Sequence, residues 1–147
     1  MSFLAVPGSG PVIDYSGQDM ELLTGHGRLA GFAVVRLTVP PRFVGPVPHA
    51  HDSFDEGIYL LSGRLTVLAG TEELVAEPGS MLVAPRGDRH GFANPFDEPA
   101  EVLTFWSPGE LGVSFMTERA EVVGAGAAPD PSELAQFYAR HQSRLLP

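Results

Sequence analysis

The chain contains no cysteine and no lysine; its nine positive charges are all arginine. Without cysteine there is no disulfide, no thiolate nucleophile and no cysteine zinc site. Without lysine, a phosphate-loop lysine and a Schiff-base lysine are both excluded. Positive charge is scarce overall. Eighteen acidic residues against nine arginines give a net charge of −9. Nucleic acid and anionic membranes recruit basic surfaces, so neither is an expected partner. No run approaches the ~20 apolar residues of a membrane-spanning helix. The opening "MSFLAVPGSGPVIDYSG" has neither a basic first segment nor the apolar stretch of a secretory signal, so a cytoplasmic location is the expectation.

What is present points to β-structure. The 147 residues suit one domain with its own core, and 17 glycines with 14 prolines fit short strands joined by tight turns. Residues 1–28 read as a loop-rich extension with one strand near Val12 to Tyr15. "LAGFAVVRLTVPP", from Leu29, is β-branched and ends in a double proline, so it reads as a strand with a hard stop. "EGIYLLSGRLTVLAG" reads as a hairpin turning at Ser62-Gly63. Further strands are expected from Ser80 to Ala84, from Arg89, and over "AEVLTFWSPG". The expected fold is all-β, a sandwich or barrel with its core in residues 29–107. Residues 108–147 form a C-terminal extension with a helix over about 131–143. Asp130 is its N-cap and Pro131 its first residue. Leu134, Phe137, Tyr138, His141 and Leu145 lie on one face at helical spacing. "GAGAA" before it reads as a flexible connection.

"HAHDSFDEGIYLLSG", residues His49 to Gly63, concentrates the chemistry. Side chains two apart on a strand share a face, so His49 and His51 point the same way. Glu56 follows a short polar turn, "DSFD", and can return to the same site. His90, after the tight loop "PRGD", is a fourth candidate. Neutral imidazole and carboxylate suit one divalent first-row ion: iron, manganese, nickel, cobalt, copper or zinc. His26 and His141 lie outside this pattern and read as loop and helix-surface residues.

These residues resemble the cupin superfamily. Its first motif, approximately G-x5-H-x-H-x(3,4)-E-x6-G, is matched by His49, His51, Glu56 and Gly63. Its leading glycine would fall on Phe43, whereas this chain has Gly45. The second motif, approximately G-x5-P-x-G-x2-H-x3-N, is matched by Gly79, Pro85, Gly87, His90 and Asn94. The resemblance implies a single cupin barrel, a double-stranded β-helix or jelly roll, similar to monocupin dioxygenases such as quercetinase-like proteins. It implies His49, His51, Glu56 and His90 as metal ligands. It also implies a homodimer. Cupins with this ligand set include flavonol dioxygenases, oxalate-oxidising germins and sugar-phosphate isomerases, so the chemistry stays open between them.

Three neutral histidines and one carboxylate leave a divalent ion with one net positive charge. An octahedral ion keeps two positions for substrate and for water or dioxygen; a tetrahedral zinc is closed by the same four ligands. Glu56 can also take a proton from a substrate hydroxyl. Strand parity puts Ile58 and Leu60 on the inner face with Glu56, and Tyr59 and Leu61 outside. The same parity puts Phe92 inside with His90, and either Trp106 or Phe105 joins them; Asn94 is a further candidate. This apolar lining suits a small aromatic or enol-type substrate. Arg36, Arg86 and Arg89 are candidate anion anchors. Phe115, Met116, Phe137 and Tyr138 either cap the barrel mouth or cover an apolar edge. The expected activity is that of a metal-dependent dioxygenase with Glu56 as base. The rival readings are a non-oxidative isomerase, cyclase or lyase, and a metal-containing binding domain without turnover.

Overall fold

The computed structural model describes residues 2–25, 31–123 and 129–147. His26, Leu29 and the "GAGAA" segment lie outside the described residues. Two antiparallel sheets face each other. One joins, in spatial order, β1 (Val12–Tyr15), β2 (Gln18–Leu22), β3 (Ala33–Val39), β10 (Ala100–Ser107), β5 (Asp55–Ser62) and β8 (Met81–Ala84). The other joins β11 (Ser143–Leu145), β4 (His49–His51), β9 (His90–Ala93), β6 (Leu65–Ala69) and β7 (Glu72–Ala76). Two helices, α1 (Gly109–Val123) and α2 (Pro131–Arg140), follow β10.

The alternation that marks the strands also builds the core. Ala33, Val35, Leu37 and Val39 of β3 are buried, as are Ala100, Val102, Thr104 and Trp106 of β10. The faces they share are in register, with Leu37 opposite Val102 and Val35 opposite Thr104. Closing two sheets over one apolar interior removes this surface from water, which drives folding at about 25 cal/mol per Å².

Several expectations are corrected. Within residues 2–25 there are two strands rather than one: β1 and β2 form a hairpin over Ser16 and Gly17, both at positive φ, and β2 pairs with β3. Ser62-Gly63 is not a hairpin turn. β5 and β6 belong to different sheets, so the turn carries the chain across the sandwich. Gly63 is required there, because its φ is 76° and a Cβ would sit 2.4 Å from the Pro99 carbonyl oxygen. The C-terminal region holds two helices rather than one. α2 ends at Arg140, and Leu145 lies on β11 instead of a helical face. The N-cap reading agrees with the structure, since the Asp130 side chain accepts hydrogen bonds from the Ser132 and Glu133 amides.

α1 and α2 pack over one end of the sandwich. α1 buries Gly109, Gly112, Phe115, Met116 and Arg119. Gly112 lets the helix lie directly on β10, because a Cβ there would fall 2.2 Å from Trp106 Cγ. Glu118 of α1 is hydrogen-bonded to Arg140 and His141 at the end of α2. The hydrogen bond from Arg140, and after it that from His141, holds the Glu118 carboxyl below its ordinary range.

Candidate metal centre

The four predicted ligands meet. His49, His51, Glu56 and His90 place one ligand atom each within 4.8 Å of all the others. The histidines come from the five-stranded sheet, where His49 pairs directly with His90 across β4 and β9. Glu56 comes from β5 of the opposing sheet. The cluster therefore ties the two sheets together. Glu56 Oε2 lies 3.3 Å from Nε2 of both His51 and His90. The "DSFD" turn delivers Glu56, but it is not wholly polar: Phe54 is 1% exposed and stacks on His51 at 4.2 Å.

Hydrogen bonds on the far side of each ring set which nitrogen faces inward. His49 Nδ1 lies 2.8 Å from the Val47 carbonyl, and His90 Nδ1 lies 3.0 Å from the Asp88 carbonyl. A carbonyl only accepts, so both Nδ1 atoms carry hydrogen. His51 Nδ1 lies 2.8 Å from Ser143 Oγ, whose own hydrogen goes to the His141 carbonyl; His51 Nδ1 is therefore also a donor. All three Nε2 atoms are left to face Glu56. In their neutral form these rings turn lone pairs toward the carboxylate, an arrangement that needs a proton between them, as when His51 and His90 hydrogen-bond Glu56, or a cation. Metal–ligand lengths of ~2.0–2.2 Å would put opposed donors about 4.2 Å apart, close to the spread observed here. The donor chemistry and the tautomers therefore fit a divalent ion.

The electrostatics agree. Burial, reinforced by the charges of His90 and His51, lowers the His49 pKa to about 3, so its lone pair is available at neutral pH. Burial alone would raise the Glu56 pKa, but hydrogen bonds from His51 and His90 outweigh it and hold the carboxyl well below the usual range. Burial also opposes a charged His90, yet its hydrogen bond to Glu56 raises its pKa above 6.5. An entering metal must displace that proton. Metal affinity should therefore be flat at high pH and fall as pH drops through the raised His90 value. The metal-free protein should behave oppositely. The stabilisation from protonated His90 is complete below about 6.5 and disappears as pH rises through the folded value. Calorimetric metal titrations and thermal melts across this range check both signs.

Around the cluster is a cavity of about 30 Å³, room for about two waters. Phe92 and Trp106 line it. Ile58 and Leu60 face inward but are buried in the core and do not line it. Phe105 is opposite Gly57 on the other face of β10. Asn94 does not face the cavity; it is fully buried and bridges the Val39 and Glu98 carbonyls. The candidate anion anchors are all engaged elsewhere. Arg36 pairs with Glu101, Arg86 with Asp55, and Arg89 with the Gly70 and Pro147 carbonyls. Phe115, Met116 and Tyr138 line the cavity, so the helices close the barrel mouth, with Phe137 packed behind Phe115 at 4.8 Å.

Polar residues that the sequence pattern does not reveal also contribute: Tyr15, Thr104, Arg119 and Ser143. The first three line the cavity. Ser143 braces His51 from β11, whose three residues give no readable period. Ser143→Ala should weaken metal binding about 10- to 100-fold while the protein still folds, because it frees the ring orientation without removing a ligand. A competitive chelator titration measures this.

Gly45 takes the place of the expected motif glycine. Its φ is 82°, and a Cβ would sit 1.8 Å from the Phe92 carbonyl oxygen. The chain thus passes against β9 just before the histidine strand. A glycine is required two residues later than the motif predicts.

Comparison with known proteins agrees with this architecture. The family described as Cupin domain matches residues 35–106. A germin-like protein, subfamily 2 member 3, from Arabidopsis thaliana is 33% identical over 93 residues, 60% of this chain and 42% of that protein. The chain thus spans less than half the length of this curated relative. A solved sugar phosphate isomerase of the cupin superfamily from Silicibacter pomeroyi is 26% identical, with 62% of this chain and 59% of that one covered and a TM-score of 0.55. A Cupin 2 conserved barrel domain protein from Salinispora arenicola is similar in fold over 96% of this chain and 98% of its own, with 18% identity and a TM-score of 0.56. Among the described residues no helix is long and apolar enough to cross a membrane. Motifs, sheet order and relatives agree: residues 35–106 of this chain match the cupin domain family, and the fold is shared with solved cupin barrels.

Proposed function

We propose that the protein is a metal-dependent enzyme, a dioxygenase acting on a small enol-type substrate. The observation that carries this reading is the convergence of three oriented Nε2 atoms and one carboxylate on a small buried cavity whose lining is mostly apolar. A bound redox-active first-row ion supplies Lewis acidity and a route for electrons to dioxygen. The chain does the rest. Phe92, Trp106 and Phe115 exclude bulk water. Glu56, held ionised by its histidine neighbours, accepts the proton of an enol hydroxyl. The size of the cavity favours a substrate of few atoms over a flavonol. For an enediol the balanced outcome is cleavage of the carbon–carbon bond, with one oxygen atom added to each fragment as two carboxylic acids form.

One observation favours a second reading. Burial holds Tyr15 protonated and pushes Tyr138 up to about 12, in the same cavity as the ionised Glu56. A base beside neutral hydroxyl donors is the arrangement for moving a proton along a substrate, as in an isomerase or tautomerase. An oxygen electrode separates the two. Metal-loaded protein given hydroxyacetone, a small ketone that enolises to an enediol, should consume dioxygen, and Glu56→Gln should not. Equal turnover without oxygen favours the second reading; no turnover in either condition contradicts both.

A further inference from the structure

Arg119 is a buried cation without a carboxylate. It sits on α1, is 8% exposed and lines the cavity that holds the histidine cluster. Its neighbour Glu118 is turned away toward Arg140 and His141. Among the described residues no ion pair reaches Arg119, and its buried Nη1 has no hydrogen-bond partner. Burying a guanidinium costs several kcal/mol unless its donors are met, and an unmet buried donor costs about 1–3 kcal/mol more. Packing alone would favour a leucine or methionine at this place.

We propose that Arg119 anchors the substrate by its carboxylate, which makes the substrate a small carboxylate anion with a further oxygen function directed at the histidine cluster. This rests on the cavity being a substrate site, as in the function proposed above. Three observations select the ligand class. The guanidinium is a planar fork whose N–H pairs match a carboxylate. Its Cζ lies 4.7 Å over the Tyr15 ring, a cation–π contact that holds the guanidinium in place while its Nη1 stays without a partner. Arg119 is hydrogen-bonded to Tyr138, whose ring is 5.6 Å from His49; that bond leaves Nη1 unmet, and a molecule of few atoms spans the distance from there to the histidines. A phosphoryl group would call for more than one cation and more room. Among the described residues, and apart from the histidines, Arg119 and Glu56 are the only charged residues lining the cavity, which leaves one guanidinium for one carboxylate.

The test titrates the full chain, metal-loaded and metal-free, with acetate and with uncharged acetamide, following the arginine Nε–H resonances by NMR. Arg119→Lys identifies the Arg119 signal by its loss. Acetate should move that signal saturably, and acetamide should bind at least tenfold more weakly. Arg119→Gln should lose at least tenfold in acetate affinity while binding metal as the parent does. The inference is overturned if acetate fails to saturate, if it leaves the Arg119 signal in place, or if Arg119→Gln binds acetate like the parent. The wild-type titration decides the matter even if Arg119→Gln does not fold. Acetate bound at Arg119 in a protein that takes up no metal removes the metal reading and keeps this one. Metal bound with no acetate response does the reverse.

Discussion

His49→Ala should lower the affinity for a divalent metal by more than about 100-fold, beyond the usual range for loss of an outer-shell partner. Three facts make this the largest site effect. Among the described residues, His49 supplies one of the four clustered ligand atoms. It pairs directly with His90, so no neighbouring side chain can replace it from the same strand pair. Its lowered pKa also keeps its lone pair free of proton competition at neutral pH. The metal-free variant should fold, since removing a buried imidazole from beside two others relieves repulsion. Any stabilisation of the parent by metal should vanish in the variant. At free metal 1,000-fold above Kd that stabilisation is about 4 kcal/mol, readily seen as a shift in melting temperature. Isothermal titration and thermal melts with and without chelator measure both parts.

Phe137→Ala should destabilise the fold by about 3–5 kcal/mol, roughly 10 °C in melting temperature for a chain of this size. Phe137 is fully buried. Its ring packs against Phe115 at 4.8 Å and His141 at 5.1 Å. It therefore fastens α2 to α1, and through them the roof of the cavity. β11 follows α2 directly, so loosening this helix also loosens Ser143 behind His51. The expected signature is a lower denaturant midpoint together with weaker metal binding. A surface substitution such as Glu133→Gln should show neither.

The chain wrote its ligands more plainly than its architecture. Two motifs of fixed spacing named His49, His51, Glu56 and His90, because strand parity and short turns leave few other ways to gather those side chains. The strands of the core were readable where one face is apolar, as in β3 and β10. Elsewhere the period is broken for physical reasons. β2, "QDMEL", carries polar residues on its outer positions and reads as loop. α1 hides because its buried stripe includes two glycines and an arginine in place of leucines. Gly109 and Gly112 are there for close approach, and Arg119 for the cavity, so neither need follows helical hydrophobicity. Turn chemistry at Ser62-Gly63 announced a reversal but could not say that the next strand joins the other sheet. Ser143 and Arg119 lie about 50 and 25 residues beyond the second motif, respectively, and only folding brings them to the site.

The account rests on one cation held by these four side chains. X-ray absorption on the purified full chain, combined with elemental analysis, tests it most directly. The account predicts one first-row metal per chain, with an inner shell of nitrogen and oxygen that includes three imidazoles and lacks sulfur, and loss of the imidazole signature in His49→Ala. A chain that takes up no stoichiometric metal, or binds it with a shell unchanged by His49→Ala, would contradict it.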